Sequence, residues 1–263
     1  MAAKVKRNYG KGKDGKKLPS VTEILGNLGW KYQVLIHWAN KVGRQGLTTK
    51  EASGDAARVG NIAHDRIEGF LIRRPFERTD EPQDLWDRST MAFESFKDWW
   101  HVENMSGRIE VIETECLMSD VEAGFGGTAD LVCLLDGKPA ILDYKTGSGI
   151  YPEVAVQLEA YADLWGTVGH ANKELSDGTP ISENGQQNRK LCKEILRTGV
   201  IHCPADGRKT QLIEIPDETR KTSAQLWDSL LTMEALKTGY NEFGKYLRGA
   251  TLPKEEPEPK VPF

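Results

Sequence analysis

Between Ile109 and Thr146 the apolar residues recur at every second position in three successive segments, about Ile109–Met118, Gly127–Leu135 and Ala140–Thr146. Such alternation marks half-buried strands, and the Asp136-Gly137 pair between the second and third is a tight-hairpin signal. On either side of this block the period lengthens to that of a helix. Ser20-Val21-Thr22-Glu23 has the spacing of a capping box and opens a short helix that Gly26 and Gly29 interrupt. Leu35, Trp38 and Val42 mark one face of a helix from about Tyr32 to Val42, and Ile62, Ile67, Phe70 and Leu71 mark another from about Ser53 to Arg73. A fourth helix, about Asp84 to Asn104, spaces Trp86, Phe93, Phe96, Trp99 and Trp100 as core residues. After the strands, Pro152 and Glu153 suit the first turn of a helix running to about Val168. Strands at about Glu194–Cys203 and Thr210–Ile215, then a helix from about Asp217 to Tyr246, complete the order. This order predicts an α/β fold, a mixed central sheet flanked by helices with an N-terminal helical region.

The 263 residues divide into a basic flexible arm (1–17), the helical region (18–106), a core with its C-terminal helix (107–250) and a disordered tail (251–263). A polar stretch, about His170 to Lys190, reads as an inserted loop. With 38% hydrophobic and 28% charged residues, the chain is too apolar to be wholly disordered. The net charge of -4 argues against a conventional nucleic-acid binder, but the arm alone carries seven basic residues against Asp14. Within it GKGKDGKK (Gly10–Lys17) approaches a phosphate-binding loop, yet Lys17 stands where Ser or Thr would hold magnesium and no strand precedes it. The first 30 residues hold no apolar leader, and the densest apolar run, Leu131–Leu135, falls far short of the ~20 residues that span a bilayer. A soluble, cytoplasmic protein with no membrane partner is expected. Cys116, Cys133, Cys192 and Cys203 form neither a disulfide framework nor a C-x-x-C pair, so buried inert thiols are expected.

The chemistry concentrates between Gly124 and Tyr161. Asp143 and Lys145 lie two apart on one strand and project from one face, while Leu142 and Tyr144 project from the other. Asp130, set among Ala129, Leu131 and Val132, can meet them across the hairpin. Charges inside apolar strands are costly without partners. Two carboxylates supply hard oxygen ligands for magnesium, and the lysine can orient or deprotonate a water and offset charge on a phosphate. The bland alternative is a hairpin with a surface salt bridge. Gly124, Gly126 and Gly127 give backbone access beside Asp130, and Gln157 and Tyr161 share a helix face at i and i+4.

GFGGTADLV (Gly124–Val132), ILDYKTG (Ile141–Gly147) and QLEAY (Gln157–Tyr161) together resemble the PD-(D/E)XK (restriction-endonuclease-like) nuclease superfamily, in its RecB-like exonuclease branch. The resemblance covers roughly residues 53–168 and extends to the C-terminal third in outline. Ala129 stands in place of the proline of the motif's name. The resemblance implies catalytic roles for Asp130, Asp143, Lys145, Gln157 and Tyr161. It implies metal ligation by Asp130, Asp143, the Tyr144 backbone carbonyl and, from GNIAHDRIEGF (Gly60–Phe70), His64. Glu68, one turn beyond His64, is either a supporting partner or an exposed acid. Glu115 stands where relatives carry an acidic residue, with an edge-strand charge as its alternative.

The implied function is a metal-dependent DNA nuclease, an exonuclease of recombination, repair or phage DNA metabolism, hydrolysing phosphodiester bonds with a metal-activated water. One or two Mg2+ or Mn2+ ions are the expected cofactor. No iron-sulfur cluster is expected, since no cysteine precedes Cys116. The rival is a catalytically silent nuclease-fold module that binds DNA or assembles with partners. DNA ends or single strands are the expected ligand. Lys11, Lys13, Lys16 and Lys17 could track phosphates, or the arm could be a solubilising leader. Trp30, Tyr32, Trp38 and Phe125 are candidates for stacking on unpaired bases, Phe125 foremost and Trp38 better read as core. The Glu- and Pro-rich end, Val261-Pro262-Phe263, resembles the acidic Pro-Phe tips of single-stranded-DNA-binding proteins. That leaves a recombination or single-stranded-DNA-binding partner open against coincidence.

Overall fold

In the computed structural model, residues 7–249 are described, apart from 31, 77, 79, 104, 176, 182, 184, 185, 187, 188, 190 and 191, with side chains as far as 237. Five strands form one mixed sheet in sequence order: β1 (Ile109–Asp120), β2 (Phe125–Leu135), β3 (Lys138–Lys145), β4 (Arg197–His202) and β5 (Gln211–Glu214). Every neighbouring pair is antiparallel except β3 with β4. A parallel pair needs a crossover, and the helix at Glu153–Thr167 lies on it. At the β2–β3 hairpin Asp136 has φ 49° and Gly137 φ 74°, the two left-handed residues of a type I′ turn.

Strand alternation sorts the sheet into two cores. With α1 (Val21–Leu25), α2 (Tyr32–Arg44), α3 (Thr49–Leu71) and α4 (Gln83–Val102) preceding the sheet, the crossover helix is α5 and the last, Asp217–Gly249, is α6. On one face Leu131, Cys133, Leu142 and Tyr144 pack with Ile67, Phe96 and Trp99 of α3 and α4. On the other, Val132, Ile141 and Val200 pack with Val21, Leu158, Trp165 and Trp227 of α1, α5 and α6. Full burial of each such side chain is worth roughly 1.5–3 kcal/mol. The four cysteines are buried, and burial pushes the Cys116 and Cys203 thiols up to about 12, which makes them inert.

Several expectations shift. The Ser20–Glu23 capping box forms as read, but α3 starts before Ser53 because Thr48 and Glu51 make a second box. In α2 Val42 is buried, Trp38 intermediate and Leu35 50% exposed, so the face its spacing implied packs only toward its C-terminal end. The arm is not a free leader over residues 7–17. Lys11 and Lys17 close a bridged turn, Leu18 is buried, and the Gly126 N–H donates to the Pro19 carbonyl at 3.0 Å. The inserted stretch is anchored by Arg189, which is buried, ion-paired with Glu113 of β1 and bonded through Nη1 to the Gly169 carbonyl at 2.8 Å. The 251–263 tail, including Val261-Pro262-Phe263, lies outside the described residues. Among the described residues no helix is long and apolar enough to cross a membrane.

Candidate active site and metal centre

The ladder between β2 and β3 ends at Leu131 and Leu142, so Asp130 and Asp143 stand where the two strands part. The same place interrupts the alternation of both β1 and β2. Ala129 and Leu131 lie in opposite cores although two residues apart, and so the strand changes face at Asp130. Opposite it in β1, Cys116 joins one core while the Thr114 hydroxyl donates to Glu68 of α3 at 3.2 Å on the other face. Between them Glu115 has φ 49°, a left-handed conformation that costs of order 1–3 kcal/mol in a non-glycine residue. Side chains that ordinary pleating would send apart therefore converge.

His64, Glu115 and Asp130 each offer one ligand atom, and the three atoms lie within 4.8 Å of one another. Imidazole plus two carboxylates is a donor set suited to a divalent cation. Asp130 also holds the parted strands together, since the Tyr144 N–H donates to its Oδ2 at 2.9 Å. Its Oδ2 lies 3.5 Å from His64 Nδ1, and the His64 ring meets the Tyr144 ring edge-on at 5.4 Å. Glu68 accepts from Arg74 at 2.9 Å; burial raises its pKa, opposed by Arg74 and reinforced by Glu115. It lies beside the cluster on α3, tied to Arg74 and Thr114 and not one of the three ligands. Asp143, expected among the ligands, is not one of these three: it is ion-paired with Lys145. Glu115 is the acid that joins His64 and Asp130. For Tyr144 the main chain meets Asp130 through its N–H, and its side chain is buried in the α3–α4 core.

Asp143 is 3% exposed, and burial pushes its pKa up to about 6, with Lys145 opposing and Asp130 reinforcing. On Lys145 burial lowers the pKa, but the attraction of Asp143 and Asp130 outweighs it and the net shift is upward. Burial wins on the enclosed carboxylate and attraction on the ammonium, whose side chain keeps 34% exposure. Lys145 is consequently a cation at neutral pH, suited to offsetting charge rather than taking a proton from water. Its Nζ reaches Gln157 Oε1 at 3.4 Å, and Gln157 Nε2 donates to the Tyr161 hydroxyl at 2.9 Å. Burial holds Tyr161 as the neutral phenol.

His64, Asp130, Asp143, Lys145, Gln157 and Tyr161 line one cleft of about 660 Å³, whose other wall is Arg7, Tyr9, Lys17 and the start of α1; of these the sequence had pointed only to Lys17. Arg7 is ion-paired with Glu115, and Tyr9 reaches the Thr128 hydroxyl at 3.3 Å. The adjacent glycines serve this packing, not ligand access. A Cβ on Gly126 would meet Tyr9 at 2.6 Å, and one on Gly127 would meet Tyr161 at 2.7 Å. The Gly126-Gly127 pair was the one signal in the sequence that another group approaches there. Among the described arm lysines only Lys17 reaches the cleft; Lys13 pairs with Glu122 and Lys16 with Asp14, while Lys11 is exposed. Phe125 is not a base-stacking residue. It is fully buried, 4.9 Å from the Trp227 ring, in the core that β2 shares with α6. None of the described residues of 170–190 lines the cleft.

No family model and no curated protein matches the chain. Among solved structures, one from Eubacterium rectale, described provisionally as an exonuclease, is similar over 78% of this chain and 77% of its own. Its TM-score is 0.43 and the identity 12%. At those values the likeness decides neither fold family nor activity.

Proposed function

We propose that this protein is a metal-dependent deoxyribonuclease with a PD-(D/E)XK-type core, acting on phosphodiester bonds at DNA ends. The observation that carries the reading is the convergence of Asp130, Asp143, Lys145, Gln157, Tyr161 and His64, from two parted strands and two helices, on one cleft. A Mg2+ or Mn2+ ion, when bound, supplies positive charge at the scissile phosphate and lowers the pKa of water. His64, Glu115 and Asp130 would hold it, with Asp143 adding a carboxylate beside them. Lys145, kept protonated by its two aspartates, offsets charge that builds on the phosphate under attack. Gln157 fixes the lysine and the neutral Tyr161, so both present donors in one orientation. The acidic cradle also accounts for an acidic body that binds DNA, because a bound cation inverts the local charge.

One observation favours the silent-module reading: the Arg7 guanidinium already neutralises Glu115. The test is end-labelled single- and double-stranded DNA incubated with Mg2+, Mn2+ or EDTA, beside Lys145→Ala. Metal-dependent cleavage lost in the variant is expected. No cleavage with either metal, or cleavage that survives in Lys145→Ala, would overturn the proposal.

A further inference from the structure

Next to the catalytic cleft lies a second, mainly apolar one, of about 370 Å³, walled by Leu25, Trp30, Tyr32 and Leu35, with Glu153 as its one acidic residue. The two clefts meet at Thr22 and Gln157, which line both. Gln157 also touches Lys145, at 3.4 Å, so a phosphate held there would place its own nucleoside at the mouth of the apolar cleft. The local chain explains the opening. Gly29 has φ 65°, which turns the backbone sharply between α1 and α2 and leaves the aromatic side chains off the core. Trp30 is 53% exposed, Tyr32 71% and Leu35 50%. Large apolar groups left open on one patch mark a binding surface, and aromatic faces beside a phosphate-handling cleft fit a nucleobase.

We infer that this cleft is a nucleobase subsite in which Trp30 and Tyr32 stack on one unpaired base of the strand whose phosphate lies at Lys145. The inference rests on the nuclease reading and deepens it. A base can enter between these side chains only when unpaired, so the site takes single strands or frayed ends in preference to blunt duplex.

The test is binding of short single strands by fluorescence anisotropy with Mg2+, in the Lys145→Ala background so that the strand stays intact. The strands carry one abasic site moved stepwise from each end. One abasic position is expected to weaken binding about 5- to 150-fold, the range that loss of one stacked base implies. Trp30→Ala/Tyr32→Ala should weaken the fully based strand by a similar factor and erase the abasic effect. Both side chains are exposed, so the variant should fold, and a thermal melt checks this. The abasic series on the unaltered aromatics stands even if it does not fold. Equal binding at every abasic position, or an aromatic variant that weakens based and abasic strands alike, would overturn the subsite. Cleavage by the wild type is read separately on the gel, so an abasic effect without cleavage fails the nuclease reading while leaving the subsite standing.

Discussion

Replacing Asp143 by Asn should make the metal-free protein more stable above about pH 6. The wild-type carboxyl is 3% exposed, and its pKa rises from 3.8 to about 6, first because burial penalises the anion. Below about pH 4 the group is protonated in folded and unfolded chains alike and has no effect. From there the unfolded chain releases its proton while the folded chain holds it, so stability falls by about 1.4 kcal/mol per pH unit. The fall ends as pH passes the folded value, and the two-unit gap amounts to roughly 3 kcal/mol. Asp143→Asn removes that dependence, less whatever Lys145 loses when one of its two anions goes. The assay is urea unfolding of both proteins in EDTA at half-unit steps from pH 4 to 8. The variant's advantage should be absent near pH 4, grow to pH 6 and then level. A difference that stays flat, or an Asn variant that falls behind as pH rises, would refute the reasoning.

Arg189→Met should cost about 3–5 kcal/mol by leaving Glu113 buried and uncompensated, whereas Glu113→Leu/Arg189→Met should recover most of it; urea melts read both. Gly127→Ala should cost about 1–3 kcal/mol and reduce kcat, because its Cβ meets Tyr161 at 2.7 Å and Val21 at 2.9 Å. Gly43→Ala, in the last turn of α2 with nothing within 4 Å, should be neutral or stabilising in the same melts. Arg7→Ala should tighten Mn2+ binding about fivefold by calorimetry at low salt, since it frees Glu115 from a partly exposed pair worth about 1 kcal/mol. Unchanged or weaker Mn2+ binding would show that the arm does not compete with the ion.

Features that depend on neighbours in sequence were legible. Period-2 runs marked the three antiparallel strands, and Asp136-Gly137 marked the turn that joins two of them. Asp143 and Lys145 at i and i+2, and Gln157 and Tyr161 at i and i+4, share a face because backbone geometry alone requires it. The sequence by itself therefore determined which charged side chains sit on β3 and α5 and that they point the same way.

Tertiary structure decided what those side chains meet. Glu115 joins His64 and Asp130 only because β1 and β2 both break their alternation, which no period predicts. Arg7 reaches Glu115 across 108 residues of chain, so nothing local could turn a basic leader into the wall of the cleft. Glycines flanking Phe125 read as access and an open ring, and the Trp227 ring arriving from α6 settled it as burial. Local geometry sets the direction in which a side chain leaves its own element. Which partner stands in that direction depends on how distant segments pack, and that depends on the whole chain.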